Sequence, residues 1–139
     1  MERITRSESE TKQFAKEFAK TVKGGDLIFL IGDLGAGKTT FTKYLVKALH
    51  IKGEVLSPTF VLERIYSNKK ICINHYDLYR IEKEQDIYDL GIAENIESGH
   101  VCIVEWPLVA KDALPKPRTI IKIEKLSENE RKFSIEVEK

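Results

Sequence analysis

Gly32-Asp33-Leu34-Gly35-Ala36-Gly37-Lys38-Thr39 satisfies Gly-x4-Gly-Lys-Ser/Thr at every required position. Each residue type has a physical task. Gly32, Gly35 and Gly37 permit backbone torsions that turn successive N–H groups, that of Ala36 among them, inward around an anion. A helix opening at Lys38 adds the positive end of its dipole. Lys38 sets a point charge on the β- and γ-phosphates. Thr39 offers a hydroxyl to Mg2+, and Thr40 completes the phosphate-binding set. The loop predicts ATP/ADP and Mg2+ as ligands. Asp33 is acidic, so it must face away from phosphate or contact something else.

Such a loop needs a carboxylate that positions Mg2+ or water, at the end of a buried strand beside the loop's own. Glu105 fits, because it follows the apolar run Val101-Cys102-Ile103-Val104. It either reaches the metal or polarises water. Trp106 follows it and either walls the pocket or packs. Asp77 is the second candidate, in His75-Tyr76-Asp77-Leu78-Tyr79-Arg80. His75 is read as a structural or supporting residue rather than a metal ligand, since histidines at 50, 75 and 100 form no ligand spacing. Cys72 and Cys102 lie in apolar strands and read as core. In Ser57-Pro58-Thr59-Phe60 the proline stiffens a turn and Thr59 offers a hydroxyl to the γ-phosphate or Mg2+.

The elements that hold these residues can be read from periodicity. Residues 7–23 form a helix, capped by Ser7 with Glu10 and ended by Gly24-Gly25. Leu27–Ile31 is an apolar strand buried on both faces, and residues 38–49 are the helix after the loop. Residues 59–66 and 70–76 make a hairpin, 82–88 and 92–96 short helices around Gly91, 101–104 a second central strand, and 119–126 with Arg131–Glu138 a second hairpin. The expected fold is α/β: a P-loop NTPase-like three-layer domain, with a mixed, largely central β-sheet flanked by helices.

The 139 residues make one domain, residues 1–139. With 42% hydrophobic residues the chain builds a core and is not disordered. A net charge of +1 argues against a wholesale basic nucleic-acid surface. The longest apolar run, Leu27–Ile31, is too short to span a membrane. Met1-Glu2-Arg3-Ile4-Thr5-Arg6 does not open a signal peptide, and two cysteines make no disulfide framework. A cytoplasmic globular domain is expected. Guanine-specific Asn-Lys-x-Asp and Asp-x-x-Gly signals do not occur. A small-molecule kinase would need an arginine-bearing lid and an acceptor site, and no lid segment is apparent.

The four blocks at 32–41, 57–60, 75–80 and 104–107 resemble the bacterial TsaE family, formerly YjeE, in order and spacing. The resemblance implies a small ATPase required to form threonylcarbamoyladenosine in tRNAs that read codons beginning with A. It implies TsaD and TsaB as partners, tRNA only indirectly through their complex, and ATP hydrolysis that resets the complex between turnovers. Carried onto this chain, Lys38 and the loop amides hold phosphates, Thr39 and Glu105 bind Mg2+, and Asp77 assists the metal or the attacking water. Lys38, Asp77 and Glu105 are then the catalytic set. Residues 57–60 act as a switch, Trp106 lies at the site, and Thr11 approaches the adenine. The near-neutral charge fits a helper that docks on protein. Two alternatives stand: an ATP-sensing module without turnover, and a small P-loop kinase.

Overall fold

The computed structural model describes residues 1–33, 35–58, 62–109 and 111–139. Its strands are β1 (Glu2–Thr5), β2 (Leu27–Ile31), β3 (Glu63–Ser67), β4 (Cys72–Asp77), β5 (Val101–Glu105), β6 (Arg118–Lys125) and β7 (Arg131–Glu138). They form one sheet in the order β1-β7-β6-β2-β5-β4-β3. β6, β2, β5 and β4 are parallel, while β3, β7 and β1 join by antiparallel pairing. The sheet is mixed, as expected.

The two wholly apolar runs take the places that demand them. β2 lies between β6 and β5, and β5 between β2 and β4, and a hydrophobic core covers each face of both strands. Ile28, Leu30, Val101 and Ile103 point to one core, shared with Phe14 and Phe18 of α1 (Glu8–Ala19) and Phe41 and Leu45 of α2 (Lys38–Ala48). Leu27, Phe29, Cys102 and Val104 point to the other, with Ile87 of α3 (Glu84–Tyr88) and Ile92 of α4 (Ile92–Glu97). Side chains alternate across a strand, so one apolar run feeds two cores. The result is three layers. Among the described residues no helix is long and apolar enough to cross a membrane.

The structure differs from the sequence reading at three places. α1 ends at Ala19, before the expected Lys23, because Lys20, Thr21 and Val22 close tight turns onto the carbonyls of residues 17–19. β1 was not expected. It is four residues long and pairs with β7 at the far end of the chain, so local periodicity carries no sign of it. The first hairpin strand begins at Glu63, and the expected strand residues Thr59, Phe60 and Val61 lie outside the described residues.

One buried cation ties down the last strand. Arg118 is 3% exposed and lies over the Phe29 ring at 4.8 Å. Its guanidinium donates to both carboxylate oxygens of Glu138 at 3.1 and 3.0 Å, and to the carbonyls of Lys111 and Leu114. Arg118, aided by Lys116, holds the Glu138 carboxyl down to about 2 from an ordinary 4.5. A carboxyl depressed by folding stabilises the fold above its unfolded pKa, and that contribution drains as pH falls through the folded one. Stability should therefore decline between about pH 4.5 and about pH 2 as this pair is lost. In Glu138→Gln, urea midpoints measured across that window should fall less steeply than in the parent.

Candidate nucleotide site

β2 runs into the glycine loop, and the loop runs into α2. A Cβ on Gly32 would come within 2.7 Å of the Ile123 carbonyl oxygen, so the close passage of β6 demands glycine there. Gly37 precedes α2 at φ 108°, in the left-handed region. Leu34 lies outside the described residues. The Ala36 N–H donates to the Asp33 carbonyl at 3.0 Å, while Asp33 itself is exposed. The acidic residue of the loop thus faces solvent, which resolves how it coexists with a phosphate cradle.

A cavity of about 240 Å3 opens over the loop, at the C-terminal ends of β4 and β5. Gly35, Gly37, Lys38, Thr39, Thr40, Asp77, Glu105 and Trp106 all line it. Positions as far apart in the sequence as Gly35 and Trp106 therefore share one site. Asp77 and Glu105 are register partners at the tips of adjacent parallel strands, and both are buried. One Asp77 oxygen accepts the Tyr79 N–H at 2.9 Å. One Glu105 oxygen lies 2.5 Å from His75 Nε2.

Lys38 is buried beneath them. Its Nζ donates to the Gly32 carbonyl at 2.6 Å and sits 4.0 Å from the centre of the Trp106 ring. Burial pulls its pKa down, against the opposing pull of Glu105, Asp77 and Asp33. Trp106 takes φ 55°, a strained left-handed conformation for a bulky side chain. The strain sets the indole between Lys38 and Tyr79, whose ring is 5.0 Å away. Trp106 walls the cavity.

The donor set suits a magnesium nucleotide. Thr39, Asp77 and Glu105 offer hard oxygen ligands, and Mg2+ takes one or two protein carboxylates with phosphate oxygens and water supplying the rest. Among the described residues no three His, Cys, Asp or Glu side chains gather into a metal site of their own.

Two further residues line the cavity, Ser57 and Arg131. Arg131 carried no local sequence signal, because its place depends on the pairing of β7. Its Nε donates to the Ala36 carbonyl at 2.9 Å, and Nη1 donates to the carbonyls of Ser127, Glu128 and Glu130. It straps the β6–β7 turn to the loop. Arg131→Ala should weaken ADP binding about tenfold by calorimetry, the loss of a charge-assisted bond. Arg131→Lys should recover little, since an ammonium cannot reproduce the planar fork. A second hollow of about 220 Å3 adjoins the loop, between Thr11, Gly37, Thr40, Asn129 and Phe133. Thr11 is 6% exposed, and its hydroxyl is 2.7 Å from that of Thr5. Of the expected switch, Thr59 and Phe60 lie outside the described residues.

A family model described as threonylcarbamoyl adenosine biosynthesis protein TsaE matches residues 5–133. The chain belongs to the TsaE family. The TsaE protein of Rickettsia prowazekii is 42% identical over 135 residues, covering 95% of this chain and 92% of that one. That of Aquifex aeolicus is 43% identical with the same coverage. That of Bacillus subtilis is 42% identical over 125 residues, covering 90% and 78%. The crystal structure of YdiB from Bacillus subtilis superposes with a TM-score of 0.80 at 33% identity, over 97% of this chain and 83% of that one. The TsaE-family sheet and its layers are thus those of a solved relative.

Proposed function

We propose that the chain binds and slowly hydrolyses ATP within the machinery that makes threonylcarbamoyladenosine in tRNA. It acts with TsaD and TsaB, resets their complex between turnovers, and meets tRNA only through them. The observation that carries the proposal is that Asp77, Glu105 and Lys38 line one cavity of about 240 Å3 over the loop, with both carboxylates near enough to act on the Lys38 charge. The loop amides and Lys38 bind the β- and γ-phosphates. Thr39 and Glu105 would hold Mg2+, which neutralises charge on the phosphate oxygens when bound. Asp77 orients water for attack on the γ-phosphorus as the bond to the β-phosphate oxygen breaks, releasing ADP and phosphate. The hollow beside Thr11 takes the adenosine. Trp106 and Arg131 close the sides of the phosphate site.

The test is phosphate release from Mg-ATP by the chain alone and with TsaD and TsaB added, with Lys38→Ala as control. Slow release, stimulated by the partners and lost in the variant, is expected. Tight binding without turnover in either condition would replace the ATPase with a nucleotide sensor. Phosphate found on an acceptor would make the chain a kinase.

A further inference from the structure

His75 is fully buried on β4. Its Nε2 reaches the Glu105 carboxylate at 2.5 Å, across from β4 to β5. A carboxylate accepts, so the proton in this bond sits on Nε2. Among the described residues, His75 Nδ1 is one of two buried side-chain polar atoms with no hydrogen-bond partner. The Tyr66 ring lies 6.2 Å away between ring centres, and the strand register pairs His75 with Arg64 and Ile103. A histidine kept for packing would normally have both nitrogens satisfied or give way to an apolar side chain. Here one nitrogen is idle in the core, and the other is spent on a single acceptor. What the ring supplies is one donor aimed at Glu105.

We infer that His75 is the positioning residue for Glu105. Its Nε2–H clamps one carboxylate oxygen, so the side chain is held in one rotamer with its other oxygen available to a metal ion on the nucleotide. This rests on the proposed reading of Glu105 as a ligand of the magnesium nucleotide. Residues behind a ligand set metal affinity or activity by about 10–100-fold.

The test compares the full-length chain with His75→Leu, which fills the space without a donor, and His75→Gln, whose amide N–H falls near Nε2. Mn2+ affinity of the ADP-loaded chain is read by electron paramagnetic resonance, and ADP affinity without metal by calorimetry. His75→Leu should bind Mn2+ about 10–100-fold more weakly, with metal-free ADP affinity unchanged. His75→Gln should recover most of the loss. Mn2+ affinity unchanged in His75→Leu, no recovery in His75→Gln, or an equal fall in metal-free ADP affinity would each overturn the inference. Should either variant fail to fold, 15N spectra of the parent chain decide. A protonated Nε2 that shifts when Mg2+ joins bound ADP supports the role, and a protonated Nδ1 or an unmoved signal refutes it. Absence of ATP hydrolysis by the parent, with these metal results intact, would remove the ATPase reading and leave the positioning role standing.

Discussion

Lys38→Ala should lose ATP affinity by roughly 100-fold or more while keeping the fold. Charge-assisted hydrogen bonds contribute about 1.5–3 kcal/mol each, and the ammonium can serve oxygens of two phosphates. Holding its charge buried costs stability. Burial outweighs the attraction of Glu105, Asp77 and Asp33, so its pKa stands below the ordinary lysine value. A lysine depressed by folding binds fewer protons than in the unfolded chain, so the cost is full below its folded pKa and fades as pH rises towards 10.5. The volume-keeping Lys38→Met should therefore unfold at the same temperature as the parent or a higher one. Calorimetric titration with ATP, beside thermal melts of both variants, checks the two halves. An affinity within threefold of the parent would remove Lys38 from the phosphate site.

Glu105→Gln should show the opposite pattern. Turnover of Mg-ATP should fall by roughly 100-fold, the scale of removing one well-placed electrostatic group from an active site. Metal-free ADP should bind as well as before or better, because a negative charge facing the phosphates is gone. The amide oxygen can still accept from His75, so the local packing survives. Initial rates over a Mg2+ series, with ADP titrations in chelator, separate the two effects. Full turnover in this variant would leave Asp77 alone as the working carboxylate.

What the sequence revealed follows from how local each signal was. The loop and its flanking strand and helix occupy Leu27–Ile31 and Lys38–Ala48, so hydrophobic pattern and glycine spacing sufficed. Asp77 and Glu105 were legible because each ends a strand, Glu105 after an apolar run and Asp77 with His75 and Arg80 close by in the sequence. Contacts that depend on strand order were not. Arg131 meets Ala36 across 95 positions, and His75 meets Glu105 across 30. The same holds for β1, where Thr5 is buried while apolar Ile4 is exposed, so the run shows no alternation of apolar inside and polar outside. The hollow beside Thr11 needs α1 and β7 side by side, a pairing that no local window contains. Propensity and periodicity report on neighbours in the chain, whereas sites are assembled by topology.

The sheet order also bears on how the chain comes off the ribosome. β2 carries the phosphate loop, yet one of its two neighbours, β6, begins at Arg118. β1 is made before β7, to which it pairs from Glu2 to Thr5. Synthesis runs from the N-terminus, so the loop is made before the backbone that passes Gly32 and before the Arg131 strap. The surroundings of the loop are therefore completed only once β6 and β7 are in place, and a product ending before β6 carries the intact motif without them.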